Sequence, residues 1–238
     1  MSIEPSQKLP CLLLHGFTGG PFELQPLADY LRSSGRSCEV PRLPWHGEDL
    51  AQLKTGHWTK WIQSAEWYAE RMSAAYGSFD IIGFSMGGLL AAYIAARYPV
   101  RKLILLNASV VYISPSRLLK VIHERWKHRD VQDLDKVKST PIRATWQFTR
   151  IVRHLRPELT KVRVPTFIAQ SEQDHVIHPL SARYIYNKLG GYRELSWFPK
   201  SRHLICLSDE SVRLFHEVDV FLEKECGGEN DEKDKAPF

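Results

Sequence analysis

Short apolar runs alternate along the chain with longer segments in which apolar residues recur at a helical period. The helical segments at 22–34, 59–76 and 86–98 are followed by Gly35, Gly77 and Pro99, residues that commonly end helices. Thr59 is a suitable N-cap for the second of these segments. The apolar runs lie at 11–14, 37–43, 79–83, 102–108, 165–170 and 194–198, and further helical segments lie at 181–189 and 210–225. The alternation predicts an α/β fold with a mostly parallel central sheet flanked by helices.

One basic segment interrupts this alternation. Residues 112–158 show helical patterns and no convincing strand, which predicts a small helical cap inserted into the core. The core is then formed by residues 1–111 and 159–226, and the polar, charge-rich residues 227–238 are expected to be disordered. A length of 238 residues suits one α/β domain with this insertion.

Composition places the chain among ordinary globular proteins, since 43% of its residues are hydrophobic and 25% are charged. The first ten residues lack the apolar run of a signal peptide, and no run approaches the roughly 18 apolar residues of a membrane span, so we expect a cytoplasmic protein.

The four cysteines show neither a CxxC pair nor metal-ligand spacing, and Cys11 and Cys206 are expected to be buried free thiols. No zinc-finger or RNP pattern indicates nucleic-acid binding.

The segment Gly83-Phe84-Ser85-Met86-Gly87 fits the pattern G-x-S-x-G. An apolar strand leads into it and a helix rich in small residues follows it, which is the strand–turn–helix context of a nucleophile elbow. In that turn, a Cβ at either flanking glycine would collide with the neighbouring strand or helix. The alternative is a glycine-rich turn with an incidental serine, and the strand and helix on either side favour the nucleophile.

A serine hydroxyl needs a base, and the base needs an orienting acid. When the nucleophile lies on such an elbow, the acid and then the histidine follow it along the chain. Asp174 follows the predicted strand at 165–170, and His203 follows the one at 194–198.

Glu172 and Asp130 are alternative acids. Of the other histidines, His175 and His178 lie too close to the acid's own loop, and His216 lies within a predicted helix.

The loop His15-Gly-Phe-Thr-Gly-Gly20 follows the first predicted strand. Acyl transfer passes through a tetrahedral oxyanion, which two backbone N–H groups can stabilise. We expect Met86, the residue after the nucleophile, and Phe17 in this loop to supply them. Taken alone, the loop would be interpreted as a plain strand-to-helix turn.

Together these segments resemble the α/β-hydrolase superfamily, and within it the bacterial carboxylesterases and monoacylglycerol lipases, over roughly residues 9–225. The resemblance extends to Pro44-Trp-His-Gly47, which is similar to a Gly-His-Gly stretch of those lipases, and to Asp174-His-Val-Ile-His-Pro179. It implies Ser85, Asp174 and His203 as the catalytic triad, with Phe17 and Met86 as oxyanion donors. In one departure, Trp45 stands where the lipase pattern usually has glycine, which weakens the monoglyceride assignment and leaves the catalytic core intact.

The substrate expected on this basis is a short- to medium-chain acyl ester, with monoacylglycerols as the candidate natural substrate. Trp45 and the cap residues Leu118, Leu119, Ile122 and Trp126 are candidate substrate-binding residues, although the helical spacing of the cap residues fits simple packing equally well.

Residues 112–156 contain eleven lysines and arginines and four acidic residues, a net charge of +7. The basic face of this cap is expected either to be solvated or to make a weak contact with anionic lipid surfaces.

No metal or organic cofactor is implied, because protein groups complete the chemistry. The same triad also suits a thioesterase, a lactonase or a carbon–carbon bond hydrolase. A catalytically inactive binding protein of this fold is the alternative outside enzymes, and retention of the serine, acid and histidine argues against it.

Overall fold

The computed structural model describes residues 8–46, 52–53, 55–110 and 142–225. Within these ranges the chain forms one six-stranded sheet in the order β2-β1-β3-β4-β5-β6, and every neighbouring pair is parallel. The strands are β1 (Cys11–Leu14), β2 (Cys38–Glu39), β3 (Phe79–Phe84), β4 (Val100–Leu106), β5 (Thr166–Ser171) and β6 (Arg193–Phe198). The α/β fold with a parallel central sheet is therefore confirmed.

Helices cover both faces of the sheet because successive strand residues point to opposite sides. Leu12 and Leu14 pack into one apolar layer, and Cys11 and Leu13 into the other. The first layer lies under α2, α3, α4 and α5, and the second under α1 and α6. The helices are α1 (Gln25–Ser33), α2 (Trp58–Tyr76), α3 (Met86–Ala95), α4 (Ile142–Leu155), α5 (Leu180–Lys188) and α6 (Ser211–Glu223), with short 3₁₀ helices at Pro21–Glu23, Arg156–Lys161 and Ile205–Leu207. Among the described residues, no helix is long and apolar enough to cross a membrane.

Two local features differ from the sequence-based expectation. The strand expected over 37–43 is reduced to the two residues of β2, at the edge of the sheet. Pro41 lies just beyond it and has no N–H to extend the ladder. Helix α2 is capped by His57, whose Nδ1 accepts a hydrogen bond from the Thr59 backbone N–H. The prediction that Thr59 is the N-cap was therefore wrong.

Helix α4 belongs to the segment expected to form the cap. Its apolar face, which includes Ala144, Phe148, Ile151 and Leu155, is buried in the same layer as α2 and α3. This part of the segment therefore packs directly on the core. Residues 111–141 and 226–238 lie outside the described residues, so the cap over 112–158 and the disordered tail stay predictions.

Charged side chains at the amino-terminal edge of the sheet hold α6 in place. The buried carboxylate of Asp80, on β3, lies 3.3 Å from Nη1 of buried Arg36 and 2.5 Å from Nη2 of Arg101. Nη2 of Arg36 continues to Glu223 at the end of α6, at 2.6 Å. The Lys102 ammonium donates to carbonyl oxygens in the last turn of the same helix, where a cation is favoured by the helix dipole.

Candidate active site

The carboxyl edge of the sheet has a topological switch point between β1 and β3. The chain leaves β1 towards β2 on one side and then returns to add β3 and the later strands on the other. Ligands of open α/β sheets bind in the crevice at such a point, outside the carboxyl ends of the strands. The loop after β1, which carries Phe17, and the turn after β3, which carries Ser85, both begin there.

Ser85 occupies a strained turn between β3 and α3. Its backbone has φ 54° and ψ −117°, a conformation that non-glycine residues rarely adopt. A Cβ on Gly83 would lie 2.3 Å from the carbonyl oxygen of Gly87, and a Cβ on Gly87 would lie 2.0 Å from that of Leu14. Both positions therefore require glycine, as the G-x-S-x-G pattern predicts. The turn places the Ser85 side chain at the amino terminus of α3.

Asp174 and His203 are brought together by the loops that follow β5 and β6. Nδ1 of His203 lies 2.7 Å from Oδ2 of Asp174, and both side chains are buried. The other carboxylate oxygen, Oδ1, accepts hydrogen bonds from the backbone N–H groups of Val176 (2.8 Å) and Ile177 (2.9 Å). The carboxylate is thus fixed by the backbone of its own loop and presents one oxygen to the imidazole.

The alternative acid and the other histidines of these loops are placed differently. Glu172 is exposed, and its backbone N–H donates to the carbonyl oxygen of Phe198. His175, His178 and His216 are exposed. The other alternative acid, Asp130, lies outside the described residues.

His203 is held beside the nucleophile's own strand. Its imidazole packs against the ring of Phe84, the residue before Ser85, with 4.9 Å between the ring centroids. Its backbone carbonyl oxygen accepts a hydrogen bond of 2.8 Å from Nδ2 of Asn107, which follows β4. The same amide binds Ser171 twice, through the Ser171 backbone N–H at 2.7 Å and its hydroxyl at 2.9 Å. Asn107 therefore joins the ends of β4 and β5 to the loop that carries His203.

The two expected oxyanion donors lie at well-defined positions. Met86 is the first residue of α3, so helix geometry leaves its N–H without an intrahelical acceptor. In the loop after β1, the N–H of Gly16 donates to the buried carboxylate of Glu23 at 2.9 Å. The expected donor to the oxyanion is therefore the N–H of the next residue, Phe17. A Cβ on Gly16 would lie 3.2 Å from Cβ of Ser85, which shows how closely this loop approaches the elbow.

Aromatic side chains pack around the Phe17 loop. The ring of Phe17 stacks on Phe148 of α4 with 5.0 Å between centroids and 23° between planes. It also contacts Trp61 of α2 and His46, with centroid distances of 5.8 and 6.2 Å. Helix α4 therefore contributes an aromatic side chain directly beside the Phe17 loop.

Of the expected substrate-binding residues, Trp45 is half-buried and has φ 61°, the left-handed conformation that glycine adopts without strain. Tryptophan thus takes a glycine-type conformation at the position where the lipase pattern usually has glycine. Leu118, Leu119, Ile122 and Trp126 lie outside the described residues.

Two buried histidines lie near this loop and are held in their neutral form. Burial lowers the pKa of His15 to about 3 and the pKa of His46 to about 4. Nε2 of His15 accepts from the Leu43 N–H at 3.0 Å, so its Nδ1 carries the proton that faces the Gly16 carbonyl oxygen at 2.9 Å. His15 therefore ties the loop after β1 to the segment that carries Trp45 and His46.

A comparison with models of protein families matches residues 11–217 to the alpha/beta hydrolase family. The matched range includes Ser85, Asp174 and His203, and it covers most of the chain. The chain belongs to the α/β hydrolase family.

Curated proteins similar to this α/β hydrolase include a carboxylesterase of Bacillus subtilis (strain 168). It is 27% identical over 227 residues, which cover 90% of this chain and 92% of the relative. A thermostable monoacylglycerol lipase of Bacillus sp. (strain H-257) is 27% identical over 232 residues, with 91% of each chain covered. A solved structure from work on LipS and LipT, two metagenome-derived lipolytic enzymes, superposes with a TM-score of 0.78 at 25% identity, covering 92% of this chain and 95% of the other.

Four residues of this α/β hydrolase's candidate site were not predicted from the sequence: Glu23, Asn107, Ser109 and Phe148. Asn107 and Ser109 follow the buried strand β4 at its carboxyl end, so their position was a signal that could have been used. Oγ of Ser109 lies 2.9 Å from Oγ of Ser85, and both hydroxyl groups are buried. Glu23 and Phe148 carried no comparable signal, because the role of Glu23 depends on a hydrogen bond from the backbone N–H of Gly16 and that of Phe148 on stacking with a ring from a distant loop.

Proposed function

We propose that this α/β hydrolase cleaves carboxylic esters through an acyl-enzyme intermediate on Ser85, with Asp174 and His203 completing a catalytic triad. The observation that carries the proposal is the buried hydrogen bond between Asp174 and His203, held against Phe84 beside the strained turn of Ser85. The similarity to a carboxylesterase and a monoacylglycerol lipase supports the ester as the bond that is cleaved.

The bond to Asp174 determines which nitrogen of His203 acts as the base. An ionised carboxylate only accepts hydrogen bonds, so Nδ1 of His203 carries the proton. Nε2 then has a free lone pair and takes the proton of the Ser85 hydroxyl as that oxygen attacks the ester carbonyl carbon. Asp174 stabilises the resulting imidazolium and remains ionised throughout.

The attack moves negative charge onto the carbonyl oxygen of the substrate. The N–H groups of Phe17 and Met86 donate to this oxyanion, and the positive end of the α3 dipole adds to their effect. His203 then returns its proton to the departing alcohol, which leaves the acyl group on Ser85. A water molecule, deprotonated by His203, attacks the acyl carbon, and the second tetrahedral intermediate releases the carboxylic acid and the serine.

Short- to medium-chain acyl esters, monoacylglycerols among them, are the proposed substrates. The stacked rings of Phe17 and Phe148 lie at the loop that carries one proposed oxyanion donor, and we propose that they form an apolar aromatic wall that suits an acyl chain. Trp45 is proposed to border the alcohol side, where its ring replaces the glycine of the lipase pattern. The cap residues Leu118, Leu119, Ile122 and Trp126 stay predicted members of the same pocket.

We further propose that the outer face of α4 makes a weak contact with anionic lipid surfaces. Arg143, Trp146, Arg150 and Arg153 are exposed on this face, and the Arg150 guanidinium stacks 3.5 Å above the centre of the Trp146 ring. Arginine and tryptophan on one face of an amphipathic helix are typical of binding at a membrane interface. The inner face of the same helix carries Phe148, so a lipid on the outer face would lie close to the site.

Covalent labelling with a fluorophosphonate probe tests the nucleophile. We expect the parent protein to be labelled at Ser85, and the Ser85→Ala variant to lose both labelling and hydrolysis of p-nitrophenyl butyrate. Ser181→Ala, which changes another buried serine at the start of α5, is the matched control and should be labelled normally. Labelling that persists in Ser85→Ala would overturn the proposal.

A substrate panel tests the class of ester. p-Nitrophenyl esters and monoacylglycerols of graded chain length should be hydrolysed, with the highest kcat/KM at short to medium acyl chains. Acyl-CoA thioesters of the same chains should be poorer substrates. A higher kcat/KM for acyl-CoA would instead assign the triad to a thioesterase.

A further inference from the structure

The hydroxyl group of Ser109 is in direct contact with the proposed nucleophile. Its Oγ lies 2.9 Å from Oγ of Ser85, and the backbone N–H of Ser109 donates to the carbonyl oxygen of Ser85 at 3.1 Å. The side chain has no exposed surface. Two bonds to the same residue, from a segment anchored at the end of β4, fix the Ser109 hydroxyl on the nucleophile.

Either hydroxyl group could be the donor in this contact, and the proposed mechanism determines which one donates. The Ser85 proton must point to Nε2 of His203 when Ser85 attacks, so it is not available to Ser109. Ser109 is then the donor, and Oγ of Ser85 accepts its proton while donating its own to the base. A hydroxyl group can donate one and accept two hydrogen bonds, so Ser85 can make both at once.

We propose that Ser109 is a further catalytic residue, whose hydroxyl assists mainly the hydrolysis of the acyl-enzyme. The inference rests on the proposed acyl-enzyme mechanism at Ser85. In the acyl-enzyme, Oγ of Ser85 is the alkoxy oxygen of an ester. A hydrogen bond to that oxygen withdraws electrons from it and makes the acyl carbon more reactive towards water.

The same bond assists the last step. When the second tetrahedral intermediate collapses, the bond between the acyl carbon and Oγ breaks, and its electron pair returns to Oγ. His203 supplies the proton that regenerates the Ser85 hydroxyl, while Ser109 stabilises the negative charge that develops on Oγ before that proton arrives. The bond is strong at this point because it is formed in a buried site of low dielectric constant.

Acylation gains little from Ser109. During the first attack, charge leaves Oγ of Ser85 and moves to the carbonyl oxygen of the substrate, so a donor on Oγ weakens the nucleophile as much as it helps deprotonation. Ser109 should therefore affect the two halves of the reaction unequally. That asymmetry separates a chemical role from a purely structural one.

Pre-steady-state hydrolysis of p-nitrophenyl butyrate by Ser109→Ala tests the proposal. We expect the deacylation rate and kcat to fall by about tenfold, the size of effect expected for one hydrogen bond. kcat/KM, which reports acylation, should stay within about threefold of the parent value. A burst of p-nitrophenol close to one equivalent per enzyme should appear, and the acyl-enzyme should be visible by intact-protein mass spectrometry.

Two further variants serve as comparisons. Ser109→Cys keeps a weak donor at the same position and should give a smaller loss of deacylation than alanine. Thr166→Val removes a buried hydroxyl at the opposite end of the sheet and should leave both rates unchanged, whatever it does to stability.

The outcomes distinguish this inference from the proposed function. If Ser109→Ala lowers kcat and kcat/KM equally, or changes neither, Ser109 has no selective role and the inference is overturned. Those results leave the proposed function intact, provided that Ser85 is still labelled by the fluorophosphonate probe. Labelling that persists in Ser85→Ala overturns both.

Discussion

Backbone strain in this protein is concentrated around the site. Among the described residues, four that are not glycine have a positive φ: Thr18, Trp45, Ser85 and Asn107. They lie in the segments that follow β1, β2, β3 and β4, at the carboxyl edge of the sheet. Each such conformation costs on the order of 1–3 kcal/mol, so the rest of the fold must hold them in place.

Variants of Asn107 can separate the effect of its backbone strain from the effect of its side-chain hydrogen bonds. Asn107→Ala should lower kcat/KM by about tenfold or more, because the amide that holds the His203 loop is lost. Asn107→Gly should be equally impaired in kcat/KM but more stable than the alanine variant by about 1 kcal/mol, since glycine tolerates φ 44°. Steady-state kinetics and urea denaturation of both variants provide the measurements. Normal activity in the glycine variant would show that the side chain does not position His203.

Trp45 is proposed to border the alcohol side of the substrate. Trp45→Gly replaces a strained tryptophan with the residue of the lipase pattern, and removes a ring whose nearest atom lies 3.4 Å from the Cβ position of Gly56. We expect the ratio of kcat/KM for monoacylglycerol to that for p-nitrophenyl butyrate to rise severalfold, because the alcohol side becomes more open. Trp45→Phe keeps an aromatic ring and should leave the ratio near the parent value. An unchanged ratio in the glycine variant would exclude Trp45 from the alcohol side.

At the scale of elements, the strands and helices of the core follow closely from the hydrophobic pattern. All six predicted strands are present. The four inner strands, β1, β3, β4 and β5, are almost entirely buried, and buried parallel strands are recognisable as largely apolar runs. The pattern overestimated β2, since apolar residues continue past Glu39 whereas strand pairing does not. It also missed His57 as the cap of α2, because histidine is not among the residues that usually cap helices.

The candidate site was predictable where a residue type and a strand end coincide. Ser85 lies in a recognisable turn, and Asp174 and His203 follow late strands in the expected chain order. Asn107 and Ser109 follow a strand as well, but an amide and a hydroxyl carry no chemical signature until their partners are known. The stacking of Phe148 on Phe17 joins segments 131 residues apart, and hydrophobic periodicity assigns such a side chain to the core.

The outer face of α4 provides a prediction at this scale. Changing Arg143, Arg150 and Arg153 to glutamine should lower activity on monoacylglycerol in anionic vesicles by at least about tenfold at low salt, since each basic residue near such a surface contributes about 1 kcal/mol. Hydrolysis of soluble p-nitrophenyl butyrate should not change. The parent activity on anionic vesicles should also fall steeply with added salt.

A variant with the same change of charge elsewhere is the control for α4. Arg71, Lys188 and Lys200 are exposed on other elements, and their replacement by glutamine should leave vesicle activity near the parent value. If both triple variants behave alike, or if salt has no effect on the parent, the α4 face is simply solvated.

At the scale of the whole molecule, the neutral buried histidines link stability to pH. His15 and His46 have pKa values of about 3 and about 4 when folded and close to 6.5 when unfolded, so the unfolded chain binds more protons between these values. The free energy of unfolding should therefore decrease as the pH falls below about 6.5, by about 2 kcal/mol per histidine at pH 5.

Urea denaturation of the parent and of His15→Gln at pH 7 and pH 5 measures this linkage. Glutamine can still accept the hydrogen bond from Leu43 but does not titrate, so the loss of stability on acidification should be smaller in the variant by about 2 kcal/mol. Equal losses in both proteins would show that His15 does not contribute to the pH dependence.

The order of the strands has a consequence for how the protein is made. From β3 onwards, each strand joins the same growing edge of the sheet in the order in which it leaves the ribosome. The turn that carries Ser85 can therefore form early in synthesis, whereas His203 emerges after the last strand and α6 must still dock behind it. Under the proposed mechanism, a chain whose translation stops short of His203 would hold the nucleophile without its base, so unfinished polypeptides would be unable to attack the esters around them.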